Sequence, residues 1–385
     1  MMNPPPLISV VMICYNHEKY IDEAVRSILS QTYTDFELII VDDGSTDDTF
    51  EIIQGYDDPR IIALTQENSG PSIALNTGIM KSAGEYIAIM SGDDLSLPQR
   101  LEVQLRQIEE ENADMVFSLP EIIGENSEVL GQEARSGFFG REFDSTPDLY
   151  KSLFYSGNFL CAPSCFCRQS TIKKVGRFRR GLIQLQDFDY WIRACKKNLV
   201  IKLYEKPVIQ YRSSQGSLTK PSNISRSNME ATEIYRSFLD DVSVEFLREV
   251  FGKKISPNTH DDSLDLEIDK SLLYLNNPMS RPIGVERIIN QFEDDRAYDI
   301  LKNERSFGTT DFFEHIKFLA SGGVEVINTT SKFNRVVLFI RNTLKSYLQF
   351  VIAYTDVPIW TAEEIKERIQ YYLEKGDDKR ALMVL

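Results

Sequence analysis

The chain has 385 residues, 42% of them hydrophobic and 26% charged, and a formal net charge of −15 at pH 7. That length exceeds one ordinary core, so two domains, or one large domain with an extension, are expected. The acidic balance argues against a nucleic-acid partner, which needs a basic footprint. It leaves room for a nucleotide, whose phosphates one bound metal can neutralise.

Met1-Met-Asn-Pro-Pro-Pro6 carries no basic n-region and leads into an apolar run, so no signal peptide is expected. Ile8–Cys14 reads as a first buried strand, and Ile21, Ala24, Val25, Ile28 and Leu29 repeat at helical spacing behind it. Phe36–Val41 is a second strand, followed by a turn in which Ser45 and Asp48 fit a capping box, so a helix is expected to start there and reach Gln54. Ile61–Leu64, Tyr86–Met90 and Met115–Ser118 read as further strands, with helices over Pro71–Ser82 and Pro98–Glu111 between them. Strict β/α alternation of this kind means a doubly wound sheet with a parallel, Rossmann-like half.

After Pro120 the period loosens. Glu121–Pro147 reads as loops or short hairpins, Asp148–Phe154 and Gln169–Val175 as short helices, and Asp187–Lys197 as a firm helix. Strands are expected near Val200–Leu203 and Val208–Tyr211, and a domain boundary near Lys220-Pro221. This gives one domain over residues 7–220 and a helix-rich domain of unassigned function over residues 221–385. The Ser-rich loop Ser213–Thr219 reads equally as a lid or as a linker. In Ser331–Tyr354, Val337, Ile340, Leu344, Tyr347 and Val351 share one helical face, with Arg335, Arg341 and Lys345 largely opposite. Two readings stay open for it, a packed helix of the second domain or a helix lying on an anionic membrane. The five cysteines include no CxxC pair and have no His at ligand spacing, which argues against zinc and for buried, reduced thiols of a cytoplasmic protein.

Four patches bear chemistry. Asp93 and Asp94 follow an all-apolar strand, at the end where open α/β sheets bind ligands. Adjacent carboxylates repel unless a cation compensates them, and a hard divalent ion shared with a diphosphate does so. Tyr15, with the backbone of Ile13 beside it, ends the first strand and can stack on a base; Asp43 ends the second and can accept an imide N–H. Asp187 opens a later helix. Each has a plain structural reading as core aromatic, turn former or helix cap. Their order at successive strand ends favours a sugar-nucleotide site.

The chain resembles the family 2 inverting glycosyltransferases of GT-A fold over about Leu7 to Thr219. The resemblance rests on Ser9-Val-Val-Met-Ile-Cys-Tyr-Asn16, Phe36-Glu-Leu-Ile-Ile-Val-Asp-Asp-Gly-Ser-Thr-Asp47, Asp93-Asp94 with Leu97-Pro98, Val175-Gly-Arg-Phe178 and Asp187-Phe-Asp-Tyr-Trp191. It implies an α/β fold with a doubly wound mixed sheet of GT-A type, and transfer of a sugar from a nucleoside-diphosphate sugar, UDP-sugar favoured. The acceptor would be a saccharide, lipid-linked or protein-linked hydroxyl in bacterial-type polysaccharide or glycoconjugate synthesis. Matched position by position, Tyr15 is the base-stacking aromatic, Asp43 the uracil-reading carboxylate, Asp93 the ligand of Mn2+ or Mg2+, and Asp187 the catalytic base. Asn76, Ser91, Gly92 and Asp94 are then expected near the nucleotide, and Asn158, Ser164, Gln186 and Trp191 near the acceptor.

The chain departs from the family pattern with Ser91 for the first Asp of the DxD motif, Gln186 for the Glu before the base, and Leu75 for an Arg. A nucleotidylyltransferase is the rival enzyme, but Tyr15-Asn-His-Glu-Lys19 lacks the Gly-rich loop a triphosphate needs. The other alternative is a degenerate transferase-like assembly subunit acting through its C-terminal helices.

Overall fold

The computed structural model describes residues 6–131, 139, 141–213 and 224–320. The chain divides into two compact units, residues 1–223 and 224–385. In the first, a seven-stranded sheet has the order β3-β2-β1-β4-β8-β6-β9. Its strands are β1 (Ile8–Cys14), β2 (Phe36–Asp42), β3 (Ile61–Thr65), β4 (Tyr86–Ser91), β6 (Met115–Ser118), β8 (Phe166–Arg168) and β9 (Ile201–Tyr204). β1 to β4 are mutually parallel, β6 and β9 pair in parallel, and β8 runs antiparallel between β4 and β6. The apolar runs of β1 and β4 are buried almost throughout, as strands covered on both faces must be.

Helices α1 (Ile21–Leu29), α2 (Thr49–Gln54), α3 (Pro71–Lys81) and α4 (Arg100–Glu110) connect the strands. α1 buries Ile21, Ala24, Val25 and Ile28, the face its spacing predicts. α2 starts at Thr49 and not at Ser45, which corrects the capping-box reading. Ser45 Oγ donates instead to Asp42 Oδ1 and accepts the Asn16 N–H at 2.9 Å, while the Thr49 N–H donates to Asp47 Oδ1 at 3.1 Å.

A second, three-stranded sheet joins β5 (Leu95–Ser96), β10 (Ile209–Arg212) and β7 (Glu121–Ile123). β5 and β8 are too short to show a period in sequence. Between them and the end of the unit come α5 (Thr146–Ser156), α6 (Gln169–Val175) and α7 (Gln186–Lys196). All five cysteines are buried and free.

The second unit is helical in its described residues: α8 (Ile224–Arg236), α9 (Val244–Phe251), α10 (Leu264–Leu275), α11 (Arg281–Phe292), α12 (Asp295–Asp299) and α13 (Thr309–Ala320). Its core gathers Ile268, Leu275, Ile288, Phe292, Leu301 and Phe312. Arg305 closes the unit by reaching Asp265 at 2.7 Å and Asp269 at 2.8 Å. No helix among the described residues is long and apolar enough to cross a membrane. The stretches 214–219 and 331–354, read above as lid or linker and as packed or membrane-lying helix, fall outside the described residues.

Candidate active site

At the carboxyl edge of the sheet, Ile13 stands opposite Val41 on one side and Ser91 on the other. β1 has β2 on one flank and β4 on the other, so the crevice beyond Cys14 and Ser91 is a topological switch point, where open α/β sheets bind ligands. Tyr15 leaves β1 with 43% of its surface exposed at this edge. The loop around it is stitched to the one after β2. Thr46 N–H donates to Asn16 Oδ1 at 2.8 Å and His17 N–H to Thr49 Oγ1 at 2.8 Å.

Asp43 follows directly on β2 and is buried. Its carboxylate accepts from Gln66 Nε2 at 2.7 Å and from the N–H groups of Ser69 and Gly70 at 3.0 and 2.7 Å. With about four lone-pair sites, such a carboxylate retains room for one more donor.

The turn after β4 is tight. Gly92 N–H donates to the Ile13 carbonyl at 2.8 Å, and a Cβ on Gly92 would lie 2.7 Å from Cys14 Cβ and 3.0 Å from His17 Nδ1. Ser91 Oγ donates to Asp93 Oδ1, and both residues are half-buried. Asp94 diverges from its neighbour: it is buried, its Oδ1 accepts from the Arg212 N–H at 2.8 Å, and its Oδ2 has no partner. Burial, and then the charge of Asp93, push the Asp94 carboxyl well above the usual carboxylate range.

Arg212 escaped the sequence reading. Its Nε donates to the Asp93 carbonyl at 2.7 Å and its Nη1 to the Gly124 carbonyl at 2.9 Å, its Nη2 reaches Glu23 at 3.1 Å, and the guanidinium lies 4.6 Å over the Tyr20 ring. A single Arg at a strand end gives no signal of this. The role exists only because β10 pairs with β5 beside the turn.

Asp187 arrives from far along the chain. Ser72, in the first turn of α3, donates to the Leu182 carbonyl, and Asn76 is bonded to Phe178. These contacts bring residues 182–187 along α3 towards the edge where Gly70 holds Asp43. Asp187, half-buried in the first turn of α7, accepts from Asn158 Nδ2 at 2.6 Å through Oδ2 and from the Phe188 N–H at 2.8 Å through Oδ1.

No cluster of three or more His, Cys, Asp or Glu side chains that could enclose a metal ion occurs among the described residues. The turn after β4 still fits a hard divalent ion. The half-buried Asp93 carboxylate and Ser91 hydroxyl are adjacent oxygen donors, and Mg2+-like ions take one or two carboxylates and complete their shell from substrate phosphates.

The family model for glycosyl transferase family 2 matches residues 9–176. An uncharacterized glycosyltransferase of Methanocaldococcus jannaschii is 34% identical over 213 residues, which cover 54% of this chain and 71% of that protein. The chain belongs to glycosyl transferase family 2. Two solved structures are similar to this family 2 chain at low identity. S. aureus TarS 1-349 in complex with UDP-GlcNAc has a TM-score of 0.48 and 18% identity, covering 89% of this chain and 92% of its own. The mannosyltransferase PcManGT from Pyrobaculum calidifontis, in complex with GDP-Man and Mn2+, has a TM-score of 0.47 and 15% identity, covering 91% and 89%. The mixed sheet with its Rossmann-like β3-β2-β1-β4 half is the GT-A arrangement expected of a family 2 glycosyltransferase.

Several residues expected at the glycosyltransferase site also make contacts within the fold. Asn76 is buried and clamps the backbone of Phe178, a fastening of the fold. Ser164 is fully buried, accepting from the Ser118 N–H at 3.1 Å and donating to the Cys161 carbonyl at 2.8 Å, so its hydroxyl is engaged within the fold. Trp191 has no exposed surface and packs edge-on against Phe117 at 4.8 Å, so it offers no face to a sugar ring. Gln186 stays half-buried beside Asp187, with its Oε1 unpartnered.

Proposed function

We propose that the chain transfers a sugar from a nucleoside-diphosphate sugar, UDP-sugar favoured, to a hydroxyl acceptor with inversion at the anomeric carbon. The observation that supports this best is the meeting of Tyr15, Asp43 and Asp93 at one sheet edge, with α7 bringing Asp187 towards it. Tyr15 supplies a face for the base, and Asp43, already pinned by three donors, accepts the imide N–H. Asp187 takes the proton of the attacking hydroxyl, a contribution of roughly 10²–10⁴-fold for a positioned base. A Mn2+ or Mg2+ ion held by Asp93, with help from Ser91, would supply Lewis-acid stabilisation of the departing diphosphate. Arg212 keeps the Asp93 backbone in place for that task. Family membership and the Gly-free loop after β1 favour glycosyl over nucleotidylyl transfer.

Residues 7–220 form the catalytic domain in this reading, and residues 221–385 a helical partner domain. A cytoplasmic site of action, with contact to the inner face of the membrane through residues 331–354, rests on the one-sided apolar pattern of that stretch. A thermal-shift screen of UDP-, dTDP- and GDP-sugars, with and without Mn2+, tests the donor. The expected result is stabilisation by a UDP-sugar that requires the metal, about 2.7 kcal/mol at a hundredfold excess over Kd. Absence of any response to nucleotide sugars, together with no release of nucleoside diphosphate, would overturn it.

A further inference from the structure

We infer that Asn158 is a positioning residue for Asp187, an inference that rests on Asp187 being the base. The two residues stand 29 apart in sequence and meet at 2.6 Å, Asn158 Nδ2 donating to Asp187 Oδ2. The amide is oriented from its other end, because Asn158 Oδ1 accepts from the Leu160 N–H at 3.2 Å and so leaves Nδ2 to face the carboxylate. The position of Asn158 is itself set by a helix end. Gly157, at φ 74°, closes α5 by donating its N–H to the Leu153 carbonyl at 3.1 Å, and the chain turns from there towards α7.

Both oxygens of Asp187 are thus held, Oδ2 by Asn158 and Oδ1 by the Phe188 N–H. A carboxylate so held is restrained about its side-chain torsions. Positioning of this kind matters because displacing a reacting group by about 1 Å costs on the order of 10²-fold in rate. An amide is also a donor that carries no charge, and donation of this sort favours the ionised form a base must have. The other ionisable groups of the surrounding elements are Asp148, Tyr150, Lys151 and Tyr155 on α5, Lys173 and Lys174 on α6, Arg177, Arg179 and Arg180 on the segment between, and Asp189, Tyr190, Arg193, Cys195 and Lys196 on α7. Asp189 is committed to Arg179 at 3.3 Å and Arg193 at 2.8 Å. The neutral Asn158 is a cross-element contact to Asp187 that substitution can probe.

The test uses the full chain and two variants. Asn158→Ala deletes the donor. Asn158→Asp keeps the shape and the bond from Leu160, but sets a second carboxyl against Asp187. Hydrolysis of UDP-glucose and UDP-N-acetylglucosamine with Mn2+ reads turnover, and 13C-carboxyl NMR, with the Asp187 signal assigned by Asp187→Asn, reads titration without any donor. Asn158→Ala is expected to lower turnover roughly 10- to 100-fold at unchanged donor KM, and Asn158→Asp to move the Asp187 titration to higher pH. Wild-type turnover in Asn158→Ala with an unmoved titration in Asn158→Asp would overturn the inference. A moved titration in Asn158→Asp, alongside undiminished turnover in Asp187→Asn, would instead sustain the contact and sink the base assignment.

Discussion

The side chain of Asn76 holds the backbone of Phe178 by two hydrogen bonds, Nδ2 donating to the Phe178 carbonyl at 2.9 Å and Oδ1 accepting its N–H at 2.9 Å. The pair fastens the middle of α3 to the segment that leads to Asp187, across 102 residues of sequence. Asn76→Ala strands a buried N–H and a buried carbonyl, each costing about 1–3 kcal/mol, so chemical denaturation should reveal a loss of about 2–6 kcal/mol. Asn76→Asp keeps the acceptor but turns a carboxylate oxygen onto the buried Phe178 carbonyl, and should cost at least as much. If Asn76→Ala weakened donor binding while leaving stability unchanged, the fastening role would be wrong.

Asp187→Asn removes the group that takes the proton while retaining a side chain of the same shape. The expected outcome is sugar transfer reduced by roughly 10²–10⁴-fold, with donor-induced stabilisation intact. Near wild-type turnover in this variant would end the assignment of Asp187 as base.

Tyr15 contributes little to the core, being 43% exposed. Tyr15→Ala should leave the melting temperature nearly unchanged and weaken nucleotide binding by about 1–3 kcal/mol, the usual worth of one base stacked on an aromatic side chain. Isothermal titration with UDP measures this directly, and equal affinity in wild type and variant would rule out stacking on this ring.

The second unit offers a pH dependence. Burial, followed by the nearby Arg281, pulls the His315 imidazole below its usual value of 6.5, with Asp311 opposing. The folded state thus binds a proton less readily than the unfolded chain, so stability is lost as pH falls below about 6.5 and regained as it rises. Thermal melts between pH 7 and pH 5 should show a steeper loss for wild type than for His315→Gln. The opposite slope would mean that the Asp311 contribution outweighs the other two.

What the sequence disclosed follows from what is local. The alternating apolar runs of β1 to β4 and the helix faces between them are set by periodicity within each segment, and they were readable. The residue types at the strand ends were readable too, because β–turn–α punctuation places Tyr15, Asp43 and Asp93 without any long-range knowledge. Partnerships across long separations left no local trace. Asn76 with Phe178, Asn158 with Asp187, and Arg212 with the Asp93 turn depend on packing that a motif cannot encode. Trp191 illustrates the same limit, since an aromatic one turn into an amphipathic helix can face a ligand or the core, and only the approach of Phe117 decides. The short β5 and β8 owe their strand form to their neighbours rather than to any period of their own.

Gly92 provides the sharpest check on the turn that carries Asp93. Its N–H is bonded to Ile13, and a Cβ there would press to 2.7 Å from Cys14 Cβ, closer than real Cβ atoms approach. Cys14 lies within β1 and cannot yield cheaply, so the strain must move the turn itself. Gly92→Ala should therefore cost about 1–3 kcal/mol of stability, as overpacking usually does. It should also blunt the Mn2+-dependent part of the donor-induced thermal shift more than the metal-independent part. Asp93→Asn supplies the comparison, because it removes the ligand without crowding the turn: it should abolish the metal-dependent part at wild-type stability. A Gly92→Ala protein with full stability and an intact metal response would show that the turn tolerates a Cβ, and that Asp93 is not held by the close packing of β1 against β4.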